Sequence, residues 1–312
     1  MRTQHILITG GSGLLALNWA CAVRQQCRVT LGLNRHDVKL AGVDTLRMRL
    51  DDPHEFSSQL RELAPDVVVH AAGLTQVDQC EQDPISARFA NAEIAKTVAQ
   101  CVDAMGIRLL HISTDHLFSG LESMYGESAK PQPLNEYARS KLLAEQWVTQ
   151  ASPNALILRT NFFGWGFWGR QSFSDWVIYG LREGRALSMF KDVYFTPILA
   201  DALAHTALKL AATGASGVFN LVGSERISKY EFGLRLASAF GLPQQLVLPS
   251  HVALANLKAP RPPDMSLDNR RLLNQLGEPL GALDDWFEDL RKQELQGRRE
   301  ELLKAVEEAS AR

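Results

Sequence analysis

The chain of 312 residues is poor in several features that would otherwise decide its class. It has four cysteines, Cys21, Cys27, Cys80 and Cys101, and none shows metal-ligand spacing. Cys21 and Cys27 flank a predicted helix end and the other two fall in helical patterns, so buried free thiols in a reducing compartment are expected. The net charge is only −2 and the pI lies near 6.5. That balance removes the electrostatic case for nucleic acid or an anionic membrane as partner. No apolar run reaches the length of a membrane span. The first strand, His5–Thr9, arrives without the basic segment and long apolar stretch of a secretory leader, so a cytoplasmic protein is expected. No internal repeat or low-complexity linker is found.

What is present is alternation. Strand-like runs at His5–Thr9, Arg28–Leu33, Thr45–Met48, Asp66–His70, Ile107–Ile112 and Ala155–Leu158 are separated by helical patterns at Leu14–Gln25, His54–Leu63, Ile85–Met105 and Glu136–Thr149. Continuous apolar strands joined by helices predict an α/β fold, a doubly wound parallel sheet covered on both faces. After about residue 160 the texture changes. Asn161–Arg170 is rich in glycine and aromatics and reads as irregular. Helices return at Ser174–Glu183, Ala200–Ala212 and Lys229–Phe240, with a short strand at Val218–Val222. The expected division is a dinucleotide-binding domain over 1–165, to which 192–222 returns. A smaller, mostly helical substrate domain takes 166–191 and 223–312. Its last stretch, Leu283–Ala311, reads as charged helix. The apolar residues of that tail, Leu295, Leu302, Leu303 and Val306, form one narrow face. A loosely docked tail or a homodimer contact is expected of it, without a catalytic task.

Three motifs carry chemistry. Gly10-Gly11-Ser12-Gly13-Leu14-Leu15-Ala16 follows a strand and opens a helix. Gly10 allows a tight turn, Gly13 a close approach of backbone to a pyrophosphate, and Ala16 close packing of helix on strand. The helix start at Leu14 and Leu15 supplies partial positive charge. At the end of strand two, Arg35 stands where a cofactor with a free 2′-hydroxyl meets an acid, which argues for NADP(H); Asp37 comes slightly late to reach a ribose. Asp51, with Asp52 beside it, is placed to accept from an adenine amino group or to cap the next helix. Ala71-Ala72-Gly73 offers a wall without bulky side chains. Tyr137 and Lys141, four apart on a helix behind Asn135 as N-cap, share one face. There an ammonium can lower a phenol's pKa from about 10 toward working pH, giving an acid for carbonyl reduction or a base for alcohol oxidation. Ser113-Thr114-Asp115 lies upstream at the end of an apolar run. His111 reads as a satisfied core histidine. Trp165 and Trp168 either stack on a nucleotide base or sugar or pack between domains. Thr196-Pro197 either lines a sugar pocket or enters a strand.

These pieces resemble the extended short-chain dehydrogenase/reductases, and among them the dTDP-4-dehydrorhamnose reductases and related sugar-nucleotide reductases. The residues that carry the resemblance are Pro65–Asp78 (PDVVVHAAGLTQVD), Asn91-Ala92, His111–Phe118 (HISTDHLF), Pro133–Glu145 (PLNEYARSKLLAE), Leu158-Arg159-Thr160 and Arg261–Asp268 (RPPDMSLD). The resemblance implies that Thr114 hydrogen-bonds a substrate carbonyl, Tyr137 protonates it and Lys141 holds the nicotinamide ribose. It also implies that Thr75, Asp115 and Asn91 support substrate, cofactor and helix geometry. Arg261, set among prolines, would fork onto a diphosphate. His116 and the loop Trp165–Arg170 depart from the pattern close to the expected sugar pocket. The implied activity is NADPH-dependent reduction of a nucleotide-activated keto-sugar. An epimerase or dehydratase of the same superfamily is an alternative, although His116 instead of glutamate disfavours dehydration. A cofactor-binding regulatory subunit, like the β subunit of methionine adenosyltransferase, is a third reading. Such a module has no need of the Thr114, Tyr137 and Lys141 set.

Overall fold

A computed structural model describes residues 3–306 apart from Trp168 and Asn256. Strand β1 (His5–Thr9) leads through helix α1 (Leu14–Val23) to β2 (Arg28–Leu33) and β3 (Asp44–Arg47). Helix α2 (Pro53–Leu63) then brings the chain back to β4 (Val67–His70). Helices α3 (Val77–Gln82), α4 (Pro84–Arg88) and α5 (Ile94–Asp103) precede β5 (Arg108–Ile112), and α6 (Glu136–Ala151) precedes β6 (Leu156–Arg159). Beyond these lie α7 (Phe173–Arg182), α8 (Ala200–Ala212) and a seventh sheet strand, Gly217–Asn220. Helices α9 (Lys229–Ala239), α10 (Arg270–Leu276), α11 (Leu283–Leu295) and α12 (Arg298–Ala305) follow.

The sheet order is Gly217–Asn220, β6, β5, β4, β1, β2, β3, and every pairing is parallel. Alternation along β1 explains why both faces must be covered. Ile6 and Ile8 join the core that includes Trp19 of α1 and Leu203 of α8. Leu7 points the other way, into the core with Phe56, Val98 and Val148 of α2, α5 and α6. Strand β1 pairs β2 on one side and β4 on the other, so the winding direction reverses there. A crevice beyond the carboxyl ends of the strands at such a reversal is where α/β sheets bind ligands.

Three expectations are corrected. The helix predicted over Ile85–Met105 is interrupted by a π-helical segment, Phe89–Glu93. A single inserted residue leaves the apolar spacing nearly intact, so the pattern hides it. The Phe162–Phe163 part of the aromatic stretch is not wholly irregular; it pairs in parallel with Ile198–Leu199. The tail is two helices, because Gly297 adopts φ +81° between them. Nor is it loosely docked. Leu302 and Ala305 are fully buried and Val306 nearly so against the chain's own core, while Leu295 stays exposed. A homodimer contact on that stripe therefore loses its basis. The part of the predicted tail helix beyond Val306 lies outside the described residues.

Candidate active site

The first turn begins at Gly10, with φ +70°; a Cβ there would stand 2.7 Å from the Ala72 Cα. Only glycine lets β1 and β4 deliver their loops so close together. Gly13 stands at the N-cap of α1, and no side chain caps that helix end. Its first N–H groups therefore remain available to an anion. They open into a cavity of about 710 Å³ whose walls include Gly10, Gly13, Leu14 and Leu15 on one side and Ala71, Ala72 and Gly73 on another. Thr75, Thr114, Asp115, His116, Tyr137 and Lys141 line the same cavity. These residues fit a dinucleotide: a glycine turn no side chain could replace, an uncapped helix start and the candidate set Thr114, Tyr137 and Lys141 share one space.

The candidate residues Thr114, Tyr137 and Lys141 are held by a buried scaffold. Ser113 donates to Glu145 Oε1 at 2.5 Å, and Glu145 is forked by Arg159, with Nε to Oε1 at 3.0 Å and an η-nitrogen to Oε2 at 2.8 Å. That lattice ties the end of β5 to α6 one turn beyond Lys141. Asn91, which the π segment turns inward, accepts from the Leu74 N–H at 2.7 Å and donates to Ser140 Oγ at 2.9 Å. Asp115 accepts from Asn161 Nδ2 at 2.6 Å. Asn135 caps α6, accepting from the Ala138 N–H at 2.9 Å.

The phenol departs from expectation. Burial pushes the Tyr137 pKa up to about 12, with a hydrogen bond to Thr114 acting in the opposite direction. The charges that act on it most are those of Asp115, Cys80 and Arg170, ahead of Lys141. The lysine donates to the Ile112 carbonyl at 2.6 Å, and burial brings its own pKa down to about 8. A pair four apart shares a helix face, but a carbonyl at the end of β5 competes for the ammonium. Tyr137 therefore holds its proton at neutral pH, the state an acid needs.

Other sequence-based candidates scatter. Trp165 is fully buried; its backbone N–H donates to Asn18 Oδ1 at 3.2 Å and its carbonyl accepts from Asn18 Nδ2 at 2.7 Å. It is a core residue under the loop and cannot stack on a ligand. Trp168 lies outside the described residues. Arg261 does not line the cavity. It forms an ion pair with Asp78 at 2.9 Å and donates to the Ala259 carbonyl. Asp52 is the N-cap of α2, accepting from His54 and Glu55, and Asp51 faces Arg49 at 3.5 Å; neither lines the cavity. Arg35 is exposed beside it, and Asp37 is taken by Arg47 at 2.7 Å. Thr196 is buried, where its hydroxyl accepts from the Leu267 N–H. Sequence reasoning assigned no role to Asn34, His36, Phe162 or Val306, yet all line the cavity. It missed Arg170 as well, which reaches Thr75 Oγ1 at 2.5 Å. The position of His36 at the end of β2 was a usable signal; nothing local marked Val306.

Below the cavity, His70 and His111 stack with ring centroids 5.4 Å apart. Thr9 Oγ1 meets His70 Nδ1 at 2.8 Å, whereas both nitrogens of His111 lack a hydrogen-bond partner among the described residues. His111 is thus buried as expected but not satisfied. Burial, then the Lys141 charge, lowers the His70 pKa from 6.5 to about 3, and His111 is driven well down by the same causes. The unfolded chain therefore binds these protons first. The associated stability is complete above pH 6.5 and is lost as pH falls toward about 3. Urea unfolding at pH 7 and pH 5 should show this loss, and His111→Leu should reduce it, since an apolar side chain of similar volume takes up no proton. An undiminished loss in the variant would show that His111 does not contribute.

The family profile described as the RmlD substrate binding domain matches residues 4–293. Over 298 residues the chain is 30% identical to the probable low-salt glycan biosynthesis reductase Agl14 of Haloferax volcanii, covering 92% of this chain and 99% of that one. It is 27% identical over 298 residues to dTDP-4-dehydrorhamnose reductase of Sinorhizobium fredii, covering 93% and 96%. It is 28% identical over 282 residues to methionine adenosyltransferase 2 subunit beta of Danio rerio, covering 86% and 84%. The solved structure of dTDP-4-dehydrorhamnose reductase from Bacillus anthracis in complex with NADP superposes with a TM-score of 0.82 at 24% identity, covering 94% of this chain and all of that one; this shows the shared fold.

Proposed function

Because the chain belongs to the RmlD substrate binding domain family, we propose that it is an NADPH-dependent reductase of a nucleotide-activated keto-sugar, with a dTDP-4-keto-6-deoxyhexose the favoured substrate. The observation that carries this reading is that Thr114, Tyr137 and Lys141 line one cavity with the glycine turn and uncapped start of α1. The relatives named as reductases support it.

When bound, the cofactor would supply the hydride. Gly10, Gly13 and the N–H groups of Leu14 and Leu15 would hold its pyrophosphate, with Ala71, Ala72 and Gly73 as a wall and Lys141 at the nicotinamide ribose. Tyr137, protonated because it is buried, would give its proton to the carbonyl oxygen of the sugar. Thr114, beside the phenol and buried like it, would keep that oxygen in place and meet its developing charge; at so buried a position such a contact counts for more than in water. Thr75, Asp115, His116 and Arg170 would contact the sugar or its diphosphate. In this reading residues 1–165 and 192–222 carry the cofactor, and 166–191 with 223 onward shape the substrate side.

A purely regulatory module, the reading that the methionine adenosyltransferase relative favours, makes no use of a protonated phenol beside a threonine in the cavity. A screen of nucleotide keto-sugars for NADPH consumption tests the choice; no turnover across dTDP-, UDP- and GDP-linked 4-keto-sugars would favour the regulatory module. Cofactor preference is a separate expectation. Arg35, exposed just past the end of β2 between the cavity-lining Asn34 and His36, should favour NADPH over NADH. One charge-assisted phosphate contact is worth about 1.5–3 kcal/mol, roughly ten- to a hundredfold in affinity. Titration of both cofactors should show that ratio, and Arg35→Asp should abolish or reverse it. Equal affinities in the unmodified protein would remove Arg35 from this role.

A further inference from the structure

The segment Arg298–Val306 lies beyond the residues matched by the family profile, which end at 293, yet it is bound into the chain at several independent points. Gly297 turns the chain back with φ +81°. Glu301 then takes both η-nitrogens of Arg24, at 2.5 and 2.7 Å. Arg24 is the C-cap of α1, the helix whose first turn faces the cavity. The Ala305 carbonyl accepts from the Lys39 N–H at 2.7 Å, and Val306 forms an antiparallel bridge with Val38, just past the end of β2. Val306 is 8% exposed and forms part of the same cavity wall as Gly13, Leu14, Asn34 and His36. On its other side α12 meets the substrate-side helix α7: the Arg299 guanidinium lies 3.8 Å over the Tyr179 ring and forms an ion pair with Asp175 at 3.6 Å. A loose tail would not combine a bidentate ion pair, a backbone hydrogen bond and a strand bridge.

We infer that Arg298–Val306 is a built component of the cofactor site, with Val306 forming the wall at the end where β2 receives the adenosine half of the dinucleotide. This rests on the cofactor reading above. The end is identified by His36 and Asn34, because the residues closing strand two are those that meet the adenosine ribose in sheets of this topology. The tail thereby acquires a role that sequence reasoning did not give it: it is a binding element, not a catalytic one, that also joins the cofactor side to α7.

The test is the equilibrium Kd for NADPH, read by fluorescence titration, together with a thermal melt for each protein. Val306→Glu should raise the Kd about tenfold or more, the scale expected when an uncompensated charge enters a partly enclosed wall. Deletion after Gly297 should raise it at least as much. An unchanged Kd in a cooperatively melting Val306→Glu protein would overturn the inference, even if the deletion failed to fold. Failure of the full chain to bind NADPH at all would overturn the cofactor reading, and this inference with it.

Discussion

Tyr137→Phe should lower turnover on the keto-sugar by about 10²–10⁴, the usual worth of a positioned general acid, while leaving the NADPH Kd nearly unchanged. The argument is geometric before it is chemical. The side chain is 8% exposed and lines the cavity beside Thr114, so the substitution removes one hydroxyl and little packing. Its aromatic edge against His116, with ring centroids 5.7 Å apart, survives in phenylalanine. Stopped-flow observation of NADPH oxidation in a single turnover separates the chemical step from product release. Turnover equal to the unmodified protein would remove Tyr137 as proton donor. Because burial is the largest cause and outweighs the opposing Thr114 contact, holding the phenol pKa up at about 12, activity should not rise and fall with tyrosine ionisation near neutrality.

The second large effect is on stability. Arg159 and Glu145 are an ion pair with each side chain 5% exposed, and Ser113 shares the carboxylate. Arg159→Met keeps much of the side-chain volume but leaves Glu145 buried without its counter-charge. Breaking a buried pair from one side costs about 3–5 kcal/mol, and unfolding in urea should show a loss of that size. The double variant Arg159→Met with Glu145→Leu should recover much of it, since an apolar pair places no charge in the interior. Glu145 lies one turn beyond Lys141, and Ser113 immediately precedes Thr114. Arg159→Met should therefore also reduce turnover per folded molecule. Full stability in the single variant would mean that the pair contributes only orientation.

Much of the fold was legible because its determinants are local. A strand of consecutive apolar residues declares that both faces are covered, and β1 and β2 span the residues expected of them, His5–Thr9 and Arg28–Leu33. Gly10-x-x-Gly13 is legible because the backbone conformation it serves admits little else, and Tyr137 with Lys141 because a helix repeats every four residues or so. The same logic explains the misses. Helical spacing put an ammonium beside a phenol, but the Ile112 carbonyl, 29 positions upstream, holds that ammonium. Aromatic composition left Trp165 open between stacking on a ligand and packing between domains, and Asn18, 147 positions away, binds its backbone in the core. Arg261 was read as waiting for a diphosphate, and Asp78, 183 positions away, had already taken it.

By itself the sequence determined most of the sheet strands, the glycine turn and the helix face that Tyr137 and Lys141 share, because each follows from interactions within a turn, a helix or a strand. Tertiary structure alone decided which charges are already paired, that His111 is buried without a hydrogen-bond partner among the described residues, and that Val306 at the end of the last helix reaches the cavity wall. Arg24 and Glu301 stand 277 positions apart. No periodicity connects residues at that distance; burial of apolar surface brings the elements together, and only then does each charged or polar group find the partner that defines its role.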